Sequence, residues 1–166
     1  STNGTPIGAM NKDKCGDSID TRRKGSAHGG EKTHEGTKHQ KLVWFGDNET
    51  LMTVGVSKMN EREYGIWDSR DFSKPVLKKK LDDYTGVPTL YFDDDSGVLY
   101  IAGKGESAVS FFQYNSQSPN VIDFLTAYRG KEPQKSVAFM PKRYLDLMSC
   151  EVARGARVTS KSLEYI

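Results

Sequence analysis

The chain has 166 residues, 36% of them hydrophobic, enough for one domain-sized core and too many for a disordered segment. Its 24 Lys and Arg against 22 Asp and Glu leave a formal net charge of +2, which excludes a protein held to nucleic acid or to a membrane surface by bulk charge. The longest apolar runs, residues 42–45 and 98–102, fall far short of the roughly 20 residues of a membrane-crossing helix, so no membrane span is expected.

The chain opens at Ser1 without the charged, apolar and cleavage regions of a secretion signal, and a piece of a longer protein is expected. Cys15 and Cys150 make neither a disulfide framework nor a zinc spacing, which predicts packed thiols in a reducing, intracellular setting. Residues 1–36 read as a partial unit, Gly-rich and short of apolar residues between Gly16 and Gly36. At its end "HGGEKTHEGTKH" gathers His28, His34 and His39 around Glu31 and Glu35. A zinc helix needs two His four apart on one face, whereas His34 and His39 are five apart with Gly36 between them. A solvated connection in which one His contacts the next hairpin is the better reading, and a zinc enzyme built on this cluster stays a distant third hypothesis.

Residues 37–83 form a full unit. "LVWFGDNETLMTVGVSK" set over "TLYFDDDSGVLYIAGKG" needs no gap, with Phe45 on Phe92, Leu51 on Val98, Met52 on Leu99 and Val54 on Ile101, each pair 47 residues apart. Tyr64 falls on Phe111 and Trp67 on Tyr114 at the same offset, and Ile7-Gly8 precedes Val54-Gly55 by 47. Within the unit, short β-branched and aromatic runs alternate with turn residues, a strand pattern rather than a 3.6-residue period. It predicts an inner strand over 41–45, then strands over 51–56, 64–68 and 76–81, the last polar and outermost. The Trp67-Asp68 pair closes the third strand. Four strands, a period in the forties and that Trp-Asp together describe a blade of a WD-repeat β-propeller.

Residues 84–132 repeat the unit as a last blade, and residues 133–166 leave the repeat as a C-terminal extension. "DDDSG" at 93–97 reads as a hairpin turn, since the twelfth position of a calcium loop would be Lys104 instead of Glu. "GKG" at 103–105 lacks phosphate-loop spacing and reads as a turn. No Gly-x-Ser-x-Gly nucleophile elbow occurs, and no catalytic residue, metal or cofactor is expected. The fold class is therefore all-β, a propeller fragment of about two and a half blades with an extension. Because closed rings need about four to eight blades, open strand edges are expected to make the fragment associate with itself.

Binding remains as the function. The basic clusters Arg22-Arg23-Lys24, Lys78-Lys79-Lys80 and Lys142-Arg143 can form a positive rim for an acidic partner, or protect exposed strand edges. Arg62 and Glu61, placed in an exposed hairpin, are expected to be free to meet it.

Three segments then resemble one family, the coronins. "GVSKMNEREYGIWD" is similar to the family's Gly-aromatic-Ser-basic-Met-x-Glu-Arg run into Trp-Asp, with Val56 in the aromatic position. "VLYIAGKGESAVSFFQY" resembles its last blade. "MPKRYLDLMSCEVAR", carrying Met140, Pro141, Lys142, Arg143, Cys150 and Glu151, resembles the segment that follows its propeller. "KDKCGDSIDTRRKG" and "THEG" are fainter matches. After Arg154 this chain has Gly155-Ala156 where the family usually carries two aromatics, which takes rings away from that strand's packing.

The resemblance implies the C-terminal half of a seven-bladed propeller and an extension packed back on it. It implies an inert scaffold, with Trp67 and Tyr114 plugging gaps between blades. It also implies a cytoplasmic protein of the actin-rich cortex that binds F-actin, and with it other cytoskeletal regulators, without catalysis. Tentative contacts are Arg22, Arg23, Lys24, Lys78, Lys79, Lys80 and Arg62. A general WD-repeat adaptor docking a signalling or trafficking protein is the alternative.

Overall fold

The computed structural model describes residues 7–10, 15–19, 27–46, 49–69, 71 and 73–166, with the strands before Lys32 described by their backbone alone. The chain divides into two compact units, residues 1–87 and 88–166.

In the first unit, β1 (Ile7–Met10), β2 (Cys15–Ile19) and β3 (Ala27–Lys32) make an antiparallel sheet in the order β1-β2-β3. A second sheet runs β4 (Lys41–Trp44), β5 (Thr50–Val56), β6 (Arg62–Asp68) and β7 (Leu77–Asp82) in sequence order, each antiparallel to the last. In the second unit, β8 (Pro88–Asp93), β9 (Val98–Gly103), β10 (Ala108–Tyr114) and β11 (Ile122–Arg129) repeat that meander. The 47-residue offset carries each strand of the second sheet onto its counterpart within two residues: Lys41 onto Pro88, Arg62 onto Val109, Leu77 onto Phe124. It also carries Cys15 of β2 onto Arg62 of β6, so β1 and β2 correspond to the second and third strands of a unit.

Burial explains the strand order. β5 is buried along almost its whole length, as an interior strand with both faces covered must be, and its Leu51, Met52 and Val54 are fully buried. β7, at the sheet edge, exposes Lys78, Lys79 and Lys80. Trp67 is 2% exposed and packs with Leu51, Leu42 and Trp44 of its own sheet. Its repeat counterpart Tyr114 sets its ring edge-on to Phe92, centroids 6.0 Å apart.

The extension adds β12 (Ser136–Phe139), two 3-10 turns, η1 (Lys142–Tyr144) and η2 (Leu147–Ser149), then β13 (Gly155–Val158) and β14 (Leu163–Tyr165). Its three strands form a sheet ordered β12-β13-β14. β12 lies against β8 and β9. Phe139 stacks on Tyr91 at 4.7 Å with the rings 9° from parallel, and Val137 joins Ala102 and Val109 in a buried cluster.

Candidate functional site

Two polar arrangements stand out, one in each unit. In the first, a line of hydrogen bonds runs through the buried face of β5 and β6. Trp67 Nε1 donates to Thr53 Oγ1 at 2.8 Å, Thr53 Oγ1 meets His34 Nε2 at 3.0 Å, and His34 Nδ1 meets Glu63 Oε1 at 2.8 Å. The chemistry at each end sets the protons. An indole N–H only donates, so Thr53 accepts from Trp67 and must give its own hydroxyl proton to Nε2; a carboxylate only accepts, so Nδ1 carries the imidazole proton. Lys78 Nζ closes the line 2.9 Å from Glu63.

Burial of His34 lowers its pKa from the ordinary imidazole value despite the bond to Glu63, which keeps the ring neutral. Gly55 is what lets the ring in: a Cβ there would lie 2.5 Å from His34 Cγ. So the histidine reading is corrected in part. His34 does contact the neighbouring hairpin, but as a fully buried group rather than a solvated one. His39 is exposed, and for His28 only its place in β3 is described. No three His, Cys, Asp or Glu side chains among the described residues are arranged to hold a metal.

The edge strand β7 carries the basic cluster. Lys78 bonds Glu63, and Lys80 lies 2.7 Å from Glu61 and also bonds Asp83, which raises the Lys80 pKa. The cluster is a mixed-charge ladder rather than a bare cationic rim. Arg62 departs from expectation: it is 2% exposed, and its guanidinium bonds Asp82 from across the sheet and lies over the Tyr84 ring at 5.7 Å. The Arg62 side chain anchors the end of β7 inside the protein, because a buried guanidinium must be paired. Glu61 is likewise engaged, by Lys80. Arg22, Arg23 and Lys24 lie outside the described residues.

In the second unit, the 140–154 segment ties itself to the last blade. Lys142 Nζ lies 2.8 Å from Asp93 and 2.7 Å from Asp95. Burial alone would raise the Asp93 pKa, but its bonds to Lys142 and Ser96 outweigh it and hold the carboxyl below its ordinary value. The segment closes on itself where Met140 N–H donates to the Arg154 carbonyl at 2.9 Å. Glu151 takes a two-pronged bond from Arg154 and a further 2.8 Å bond from the Asp146 N–H. Asp146 in turn caps η2. Arg143 rests its guanidinium over Tyr144, and Cys150 is an exposed free thiol.

Beside Gly155-Ala156, Arg157 docks β13. Fully buried, Arg157 donates from Nε to Gln134 Oε1 at 3.1 Å, from Nη1 to Glu164 at 3.1 Å and from Nη2 to the Glu132 carbonyl. Gln134 carries the connection to the blade, donating from Nε2 to the carbonyls of Gly103 (3.1 Å) and Ala108 (2.9 Å).

Sequence reasoning missed Thr53, Glu63, Gln134 and Arg157. The available signal was a lone Thr amid Leu51, Met52 and Val54, where a buried Trp on the next strand needs an acceptor.

No family profile matches the chain. Mouse Coronin-2A is 36% identical over 134 residues, which are 80% of this chain and 25% of that protein. Human Coronin-2A is 34% identical over 163 residues, 98% of this chain and 30% of the relative. The crystal structure of the WD40 domain of Toxoplasma gondii coronin superposes over 98% of this chain and 42% of that one, with a TM-score of 0.85 and 30% identity. The chain thus spans less than a third of the curated relatives it matches. With the 47-residue strand repeat and the Trp67-Asp68 strand end already seen, these likenesses place the chain in the coronin family, as a stretch of its WD-repeat β-propeller.

Proposed function

We propose that the protein binds and organises actin filaments as a non-catalytic scaffold in the cytoplasm, at the actin-rich cortex. Family membership carries the reading, with the exposed Lys78-Lys79-Lys80 strand edge as its local support. An acidic filament meeting this edge would compete with Glu61, Glu63 and Asp83 for the ammonium groups, so the contact is electrostatic, shallow and salt-sensitive. Arg22, Arg23 and Lys24 are proposed as further basic contacts for the filament.

The test is cosedimentation of the full-length protein with F-actin beside a variant with these six residues changed to Gln. Pelleting of the parent that is lost in the folded variant, and that fades as salt rises towards about 0.5 M, supports the reading. Pelleting indifferent both to the substitutions and to salt removes this surface from it. Absence of pelleting by the parent removes actin itself.

A second reading, a WD-repeat adaptor for a signalling or trafficking protein, draws on one observation: Lys78 and Lys80 already have acidic partners, so the edge is charge-balanced without a filament. Capture of an extended peptide with indifference to filaments is its expected outcome.

A further inference from the structure

Where the extension meets the last blade, a cavity of about 570 Å³ opens between Tyr100, Phe111 and Tyr128 on one side and Phe139, Cys150–Ala153, Gly155 and Ile166 on the other. That volume falls within the roughly 300–1,000 Å³ of small-molecule sites. We propose that this cavity binds a neutral aromatic molecule of one or two rings, with the Cys150 thiol at its edge.

The lining selects the class. Tyr100 meets Phe111 at 5.2 Å with the rings 63° apart, and Phe139 at 5.0 Å and 49°, so one wall is a cluster of aromatic rings, against which a further ring packs favourably. Its acidic group, Glu151, is already engaged by the Arg154 guanidinium and the Asp146 N–H, so the lining offers no uncommitted carboxylate to draw in a cation. The Arg157 guanidinium, which lies over the Tyr128 ring, is committed to Gln134, Glu164 and Glu132, which leaves nothing to hold an anion. Gly155 lets two wall groups come close to the backbone of β13. A Cβ there would sit 3.0 Å from Ile166 Cγ1 and 3.4 Å from Phe139, the two groups that line the cavity beside it.

This inference is independent of actin. The cavity draws only on the last blade and the extension, and no group of the β7 edge touches it.

The experiment uses the full-length protein, 1-naphthol as the probe, and the variant Ala153→Phe, which places a ring in the cavity from its own wall. Saturable 1-naphthol binding by the parent is expected, weakened at least about tenfold in the folded variant, since one lost ring contact and its burial are worth that much. A second readout is the rate at which Cys150 is alkylated, followed on the tryptic peptide of residues 144–154. N-phenylmaleimide should outpace N-ethylmaleimide at Cys150 by about tenfold more than it does at a free thiol, and saturating 1-naphthol should abolish that excess. Binding that survives Ala153→Phe unchanged, or equal selectivity of Cys150 and a free thiol with no saturable binding, overturns the proposal.

Discussion

Trp67 and Thr53 are joined by a 2.8 Å hydrogen bond between two adjacent strands, and that bond is the start of the line through His34 to Glu63. Thr53 and His34 each accept one bond and donate one, so the indole at one end and the carboxylate at the other set the direction of the protons between them. Thr53→Val keeps the shape and removes both functions, taking one buried hydrogen bond from Trp67 Nε1 and one from His34 Nε2. The expected loss is about 2–4 kcal/mol in urea unfolding, while Thr53→Ser stays within about 1 kcal/mol. Equal losses for Val and Ser would show that packing rather than hydrogen bonding is at stake. Trp67→Ala should cost about 3–5 kcal/mol, because it also opens the cluster with Leu51 and Leu42.

His34 makes stability pH-dependent in a direction that burial dictates. Its folded pKa lies below the ordinary value of about 6.5 that the unfolded chain retains. Above about pH 6.5 both states are neutral at this site and its contribution is complete. As pH falls below that, the unfolded state binds the proton first and stability is lost. The urea midpoint should therefore drop between about pH 6.5 and 5, and His34→Gln should flatten that part of the profile. A midpoint that rises on acidification would mean that Glu63 holds an imidazolium after all.

The extension is stapled through Gln134. Gln134→Leu strips Arg157 Nε of its acceptor and the carbonyls of Gly103 and Ala108 of their donor, all of them buried or partly buried. The expected cost is about 2–4 kcal/mol, confined to one part of the molecule. Hydrogen exchange should quicken in β12, β13 and β14 while β5 and β6 keep their protection. Uniform loss of protection would show instead that the extension and the sheets unfold as one unit.

The repeat was legible because it is written in apolar residues: Val54 of β5 and Ile101 of β9 are both buried in strands 47 residues apart, and burial tolerates only a few side chains there. The strand edges were legible as well, since Lys78–Lys80 alternate with nothing that a core could use. What the sequence hid is polar and long-range. Thr53, His34 and Glu63 are 10 to 29 residues apart and look like ordinary surface residues until β5 and β6 bring them together. Arg62 read as exposed because Arg usually is, whereas its pairing with Asp82 twenty residues away helps offset its burial. Arg157 stayed hidden for the same reason: its three acceptors, which let a buried guanidinium dock β13, lie 7 to 25 residues away.

Val121 adopts φ 65°, the left-handed region that a β-branched residue enters only at a cost of about 1–2 kcal/mol. Two bonds hold it there: its N–H reaches the Ser118 carbonyl at 3.0 Å, and its carbonyl accepts from Asn115 at 2.8 Å. Val121→Asn keeps both bonds and suits the conformation. Thermal unfolding should report a gain of about 1 kcal/mol, and a loss would mean that the valine side chain packs more favourably than its backbone is strained.

The two outer strands differ in how they meet solvent. β7 presents Lys78, Lys79 and Lys80, whereas β11 presents Phe124 at 62% exposure and Leu125 at 51%. Both strands pair on one side only within their sheets. Lysines on an edge discourage further strand addition, and apolar side chains on an edge invite it. If the isolated chain associates with itself, β11 is therefore the edge that does it. Leu125→Lys should shift the chain towards monomer in light scattering across about a tenfold concentration range, while Lys79→Leu on β7 should shift it the other way. Leu125 is the better site than Phe124, whose ring is engaged edge-on with Phe112 at 5.6 Å. Association unchanged by Leu125→Lys would move the contact to β4 or β8, the two strands at the opposite edges of the same sheets.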